Sequence, residues 1–114
     1  MIEKRRNRSE ISGTAAGLYL RSARQRQGLK EFVLADQSGL VIAASGTPDR
    51  AEVVASMAAM RDAGSEHDAG FDIRDEEMHL SGVTIFGQRC VLAALGPRRP
   101  DMVAAAAAMH RIFA

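Results

Sequence analysis

The hydrophobic and polar positions change period several times along the chain, and each change marks an element. Between Ser9 and about Gln27 the spacing is helical, with Ile11, Ala15, Leu18 and Ser22 recurring at i, i+4, i+7 and i+11. Ser9 suits the N-cap and Glu10 the positive end of the helix dipole. Gly13 and Gly17 each cost up to about 1 kcal/mol against alanine inside a helix, but their spacing allows close packing. Gly28 is a natural stop, just past Arg21, Arg24 and Arg26. Residues 1–8 then read as a frayed basic arm, and 9–114 as a single domain.

Beyond Gly28 the pattern shortens to strands. Glu31-Phe32-Val33-Leu34-Ala35-Asp36 and Leu40-Val41-Ile42-Ala43-Ala44 flank Gln37-Ser38-Gly39, which predicts a β-hairpin over 31–45. Thr47, Pro48 and Asp49 are N-terminal helix chemistry, and the helix they open is expected to run to about Asp62. Its apolar side carries Val53, Val54, Met57, Ala58 and Met60, followed by Arg61, and Ala63-Gly64 ends it. Ser65 to Gly70 reads as loop. Three strands are expected next, at Phe71–Glu77, Met78–Phe86 and Arg89–Leu95, with Gly87-Gln88 as a type II′ turn. Pro100 and Asp101 start a last helix with the stripe Met102, Val103, Ala106, Met109, Ile112 and Phe113. The predicted order is αββαβββα.

Composition narrows the function more than the fold. The chain has 114 residues, 46% hydrophobic and 25% charged, which suits one folded domain. Aromatics are only 4% and Trp is absent, poor stock for stacking single-stranded nucleic acid, so no nucleic-acid partner is expected. One cysteine, Cys90, excludes an internal disulfide framework and a cysteine-based zinc site. No apolar run is long enough to span a bilayer and no apolar stretch follows the basic start, so a cytoplasmic address is expected. The net charge of +1 hides an asymmetry: residues 1–30 carry eight Lys/Arg against Glu3 and Glu10, whereas Asp62–Glu77 holds seven acids against Arg74. Such a basic front and acidic middle can steer a charged partner or draw two copies together.

Catalytic chemistry finds little support. His67, His79 and His110 fall in different elements without metal-ligand spacing, and read as surface or edge residues, so no metal site is expected. No phosphate-binding loop is present. Cys90 sits in the apolar run RCVLAAL, where a thiol behaves as a small hydrophobe. Ser45 lies between Ala44 and Gly46, but the nucleophile-elbow pattern is missing. Asp75-Glu76-Glu77 would alternate faces along a strand and not converge. No enzyme activity and no cofactor are expected. What remains is surface: a Met/Ala-rich helix with apolar residues on more than one side, and a strand at 71–77 able to pair with another chain.

The segment FVLADQSGLVIAASGTPDRAEVVASMAAM resembles the roadblock family, the dynein light-chain and bacterial MglB-like proteins. The likeness rests on a strand ending in Asp36, the Gly39 turn, a strand ending near Ser45-Gly46 and a helix of small residues, and the element order extends it over about residues 9–113. The resemblance implies an α/β fold of α+β type, a five-stranded antiparallel sheet with helices on both faces in the roadblock/profilin-like manner. It implies a homodimer in which the third strand and middle helix of two copies meet. It also implies a non-catalytic protein that binds a Ras-like small GTPase and modulates its nucleotide cycle, or else serves as a scaffold. On that basis Val53, Val54, Met57, Met60, Arg61, Phe71, Ile73 and Asp75 are the candidate interface residues. A glutamate at Met57 or Met60 is expected to weaken assembly with little change to the isolated fold. The alternatives are a structural adaptor of a larger complex and a small-ligand sensor of profilin- or PAS-like fold.

Overall fold

The computed structural model describes residues 2–62 and 77–114, with side chains from Ile11 onward. Helix α1 spans Ile2–Gln27, strands β1 Glu31–Asp36 and β2 Val41–Ala44, helix α2 Pro48–Asp62, strands β3 Glu77–Ile85 and β4 Gln88–Gly96, and helix α3 Met102–Ile112. The strands form an antiparallel sheet in the order β2-β1-β4-β3.

The hairpin expected at 31–45 is present, and its turn chemistry is local. Asp36 Oδ1 accepts from the backbone N–H groups of Ser38 (2.8 Å) and Leu40 (3.0 Å), closing the loop on the end of β1. Gly39 has φ +86°, and a Cβ there would stand 3.2 Å from the Ser56 Cα of α2, so both backbone and space require glycine. The second hairpin differs from expectation in its turn. Ile85 pairs with Gln88, so the loop is Phe86-Gly87, and both have positive φ (51° and 76°). That is the type I′ pattern, not type II′.

Alternation along the strands sorts side chains onto two faces. Phe32, Leu34, Val83, Ile85, Cys90, Leu92 and Ala94 meet α1 and α3 on one side. Val33, Ala35, Val91, Ala93 and Leu95 meet α2 on the other. Central strand β4 is buried on both faces, hence its unbroken apolar run from Cys90 to Leu95. The α3 start is fixed by Asp101, whose Oδ1 accepts from Ala104 N–H (2.9 Å) and whose own N–H donates to Gln27 Oε1 of α1 (2.9 Å).

Several expectations are corrected here. The sheet has four strands among the described residues, not five, and the order there is αββαββα. The strand expected at Phe71–Glu77 lies outside the described residues except for Glu77, which opens β3 because its register continues opposite Gly96. Helix α1 has no start at Ser9; it runs through residues 2–8, whose Lys, Arg and Glu are good helix formers. Its buried face is not the Ile11 stripe. Ala16, Leu20 and Ala23 face the sheet, and Ile11 and Leu18 point outward, 67% and 61% exposed. In α3, Val103 is 82% exposed, while Ala105, Ala108, Met109 and Met102 take the core positions.

Candidate interaction surface

Helix α2 carries the candidate residues that the structure describes. Val54 is buried against the sheet in the cluster with Val33, Val91 and Leu95. Met57 is only 2% exposed. Val53, Met60 and Arg61 are half-buried. Residues 53, 57 and 60 stand at i, i+4 and i+7, so Val53 and Met60 flank Met57 on one side of the helix. A glutamate at Met57 would therefore put a charge into the fold of the single chain, contrary to the expectation of an undisturbed isolated fold; Met60 is the clean probe. Phe71, Ile73 and Asp75 lie outside the described residues, as do His67 and the expected loop at 65–70.

Beside α2 the outer strand β3 adds Met78 and Leu80, partly buried against the same cluster. The Leu80 carbonyl accepts a 3.4 Å bond from Arg99 Nη2. The carboxyl end of α2 is tied to this hairpin by an ion pair. Arg89 Nε and Nη2 donate to the two oxygens of Asp62 at 2.9 and 2.7 Å, a bidentate fork. The guanidinium lies across Gly82, where a Cβ would come within 2.7 Å of Nη1, so the absent side chain makes the crossing possible. The Arg89 hydrogen bonds and charge hold the Asp62 carboxyl below its ordinary range, opposed by partial burial, and the same contact raises Arg89.

The nucleophile candidates are committed to the fold. Ser45 is buried and its Oγ accepts from Phe32 N–H at 2.8 Å, extending the β1–β2 ladder by one bond. Burial, with the Asp36 charge second, pushes the Cys90 thiol up, away from the reactive thiolate. His110 is exposed as expected, but His79 is buried, with Nε2 3.5 Å from Glu77 Oε2. It takes an inward position of β3, an edge strand of the described sheet, in step with Val83 and Ile85. The surface-or-edge reading therefore holds for its place at the edge and is corrected for its exposure.

Sequence reasoning missed three features: the Asp62–Arg89 fork, buried His79 and buried Glu31 at the start of β1. The period of two was the available signal for the last two, since each shares parity with an inward row. The fork joins residues 27 apart and depends on strand register, which no local pattern carries.

No protein-family profile matches the sequence, and no curated protein matches it. Among solved structures, Myxococcus xanthus MglB is similar to this chain over 87% of its residues and 82% of MglB, with a TM-score of 0.47 and 16% identity. Likeness at that level does not carry function from one chain to another. No helix among the described residues is long and apolar enough to cross a membrane.

Proposed function

We propose that this chain is a non-catalytic interaction module that pairs with a second copy alongside α2 and binds a Ras-like small GTPase, biasing its nucleotide cycle. The observation that carries the reading is the hairpin–helix unit from Phe32 to Met60. The segment whose sequence resembles the roadblock family folds as a hairpin followed by a helix, with the Asp36 and Gly39 turn in place and α2 laid across the sheet, which supports the reading. The half-buried Val53 and Met60 of α2, and the partly buried Met78 and Leu80 of β3, supply apolar surface for a second copy, with half-buried Arg61 at the end of the helix. Half-covered methionine suits such a surface because its flexible thioether adapts to the partner's shape.

A regulator of this kind acts only through different affinities for the two nucleotide states. The test is therefore capture of small GTPases from the source cell on the immobilised protein, in parallel with GDP and a non-hydrolysable GTP analogue. Enrichment in one lane is the expected result. Equal recovery would reduce the reading to a scaffold that holds a GTPase. Recovery of other subunits with no GTPase in either lane would replace it with a structural adaptor.

A further inference from the structure

The outward side of α1 carries apolar residues that the core clusters of the described residues do not use. Ile11, Thr14, Ala15 and Leu18 stand at i, i+3, i+4 and i+7, the four corners of a helix-surface diamond on an open face of α1. Ile11 and Leu18 form its two ends and the smaller Thr14 and Ala15 its sides. This is the geometry of a hole that receives one side chain from a facing helix. The sheet-facing residues of the same helix are Ala16, Leu20 and Ala23, so none of the four corners is consumed by the core.

Charge specifies the visitor. Between Ile2 and Gln27 the helix carries seven Lys/Arg and two Glu. Arg21 and Arg26, both exposed, continue past the hole. At about 100° per residue they fall on opposite sides of the line through Ile11 and Leu18. They are placed to meet acids flanking the apolar seam of an incoming helix. A second copy of α1 would bring the same positive charge and be repelled, and contact with the acidic residues 62–77 of a second copy is read as a change of mass in the test. A phosphate backbone gains nothing from Ile11 and Leu18. Anionic lipid vesicles, which a basic helix with exposed Ile and Leu also attracts, are the competing surface in the test.

We propose that the outward face of α1 is a docking site for an acidic amphipathic helix of a partner protein, seated by an apolar side chain in the hole framed by Ile11, Thr14, Ala15 and Leu18. The site goes beyond the α2 reading and stands without it.

The test uses the full chain and two labelled synthetic helices of three heptads, both with Leu at a and d, one with Glu and the other with Lys at e and g. Fluorescence anisotropy reads binding, and sedimentation reads mass. The acidic helix is expected to bind at least about tenfold tighter than the basic one, and to weaken as salt is raised. Leu18→Glu should weaken it at least about tenfold while leaving thermal unfolding and mass unchanged, because Leu18 is exposed. Leu18→Ser is the milder variant should the glutamate disturb the helix. The proposal is overturned by absence of binding, by binding to anionic lipid vesicles without binding to the acidic helix, by equal binding of the two peptides, or by binding indifferent to both Leu18 variants. It is equally overturned if Leu18→Glu halves the mass, which would make the face a contact between copies. Because mass at α2 is read separately through Met60→Glu, failure here and failure of the proposed function are distinguishable.

Discussion

Helices α1 and α2 cover opposite faces of one sheet and spend their apolar residues in opposite ways. Helix α2 buries Val54 and Met57 along with four alanines, and leaves Val53 and Met60 at the margin. Helix α1 buries Ala16, Leu20 and Ala23 and turns Ile11 and Leu18 to the outside. In α1, then, the larger hydrophobic stripe is not the core stripe. Small residues mark where a helix lies close to a sheet, as at Gly17, where a Cβ would meet the Ala44 carbonyl oxygen at 3.6 Å. Large residues left outside mark surface with another use.

Truncating an inward residue of each helix and the outward Leu18 of α1 separates the two patterns most widely. Leu20→Ala and Met57→Ala are each expected to cost about 2–5 kcal/mol, the range for emptying a packed site. Leu18→Ala should stay within about 0.5 kcal/mol. Urea midpoints at constant slope measure all three. Equal losses for Leu18 and Leu20 would mean that α1 faces the sheet by its other side.

A smaller effect sharpens the role of the α1 glycines. No atom lies within 4 Å of a Cβ built on Gly13. Gly13→Ala should therefore gain about 0.5–1 kcal/mol from helix propensity, read as a rise in melting temperature. A loss would show that Gly13 is needed for an approach between helix and sheet.

The smallest expected effect concerns the tether of α2. Asp62 is held below its ordinary range by Arg89, so the native state favours the ionised form. The stability this contributes is present above the unfolded carboxylate value and is lost as pH falls through the lower folded value. In Arg89→Gln the Asp62 carboxyl, followed by NMR, should titrate higher than in the native chain. Gly82→Ala should raise it too, by displacing the guanidinium. An unmoved titration in both variants would remove the fork as a restraint on α2.

The parts of this fold that were legible in the sequence are those whose causes are local. Asp36, Gly39 and the Thr47-Pro48-Asp49 start placed the first hairpin and α2 within a residue or so. The orientation of α1 was illegible because Ala16 and Ala23 carry little hydrophobic weight beside Ile11 and Leu18, so the periodicity favoured the wrong face. Its start was illegible because Ser9 looks like a cap whether or not the helix continues before it. On the candidate surface, the α2 residues could be nominated from composition, but their burial could not. Met57 and Met60 are indistinguishable in the sequence and differ only in what the folded chain lays over them.

The most direct measurement is the mass in solution, by sedimentation equilibrium, of the native chain and of Met60→Glu. The account predicts a native mass near twice the 12.3 kDa of one chain, and a shift of the variant towards 12.3 kDa with its melting curve preserved. A native chain that sediments as a 12.3 kDa monomer at micromolar concentration, or a dimer indifferent to Met60→Glu, would contradict it.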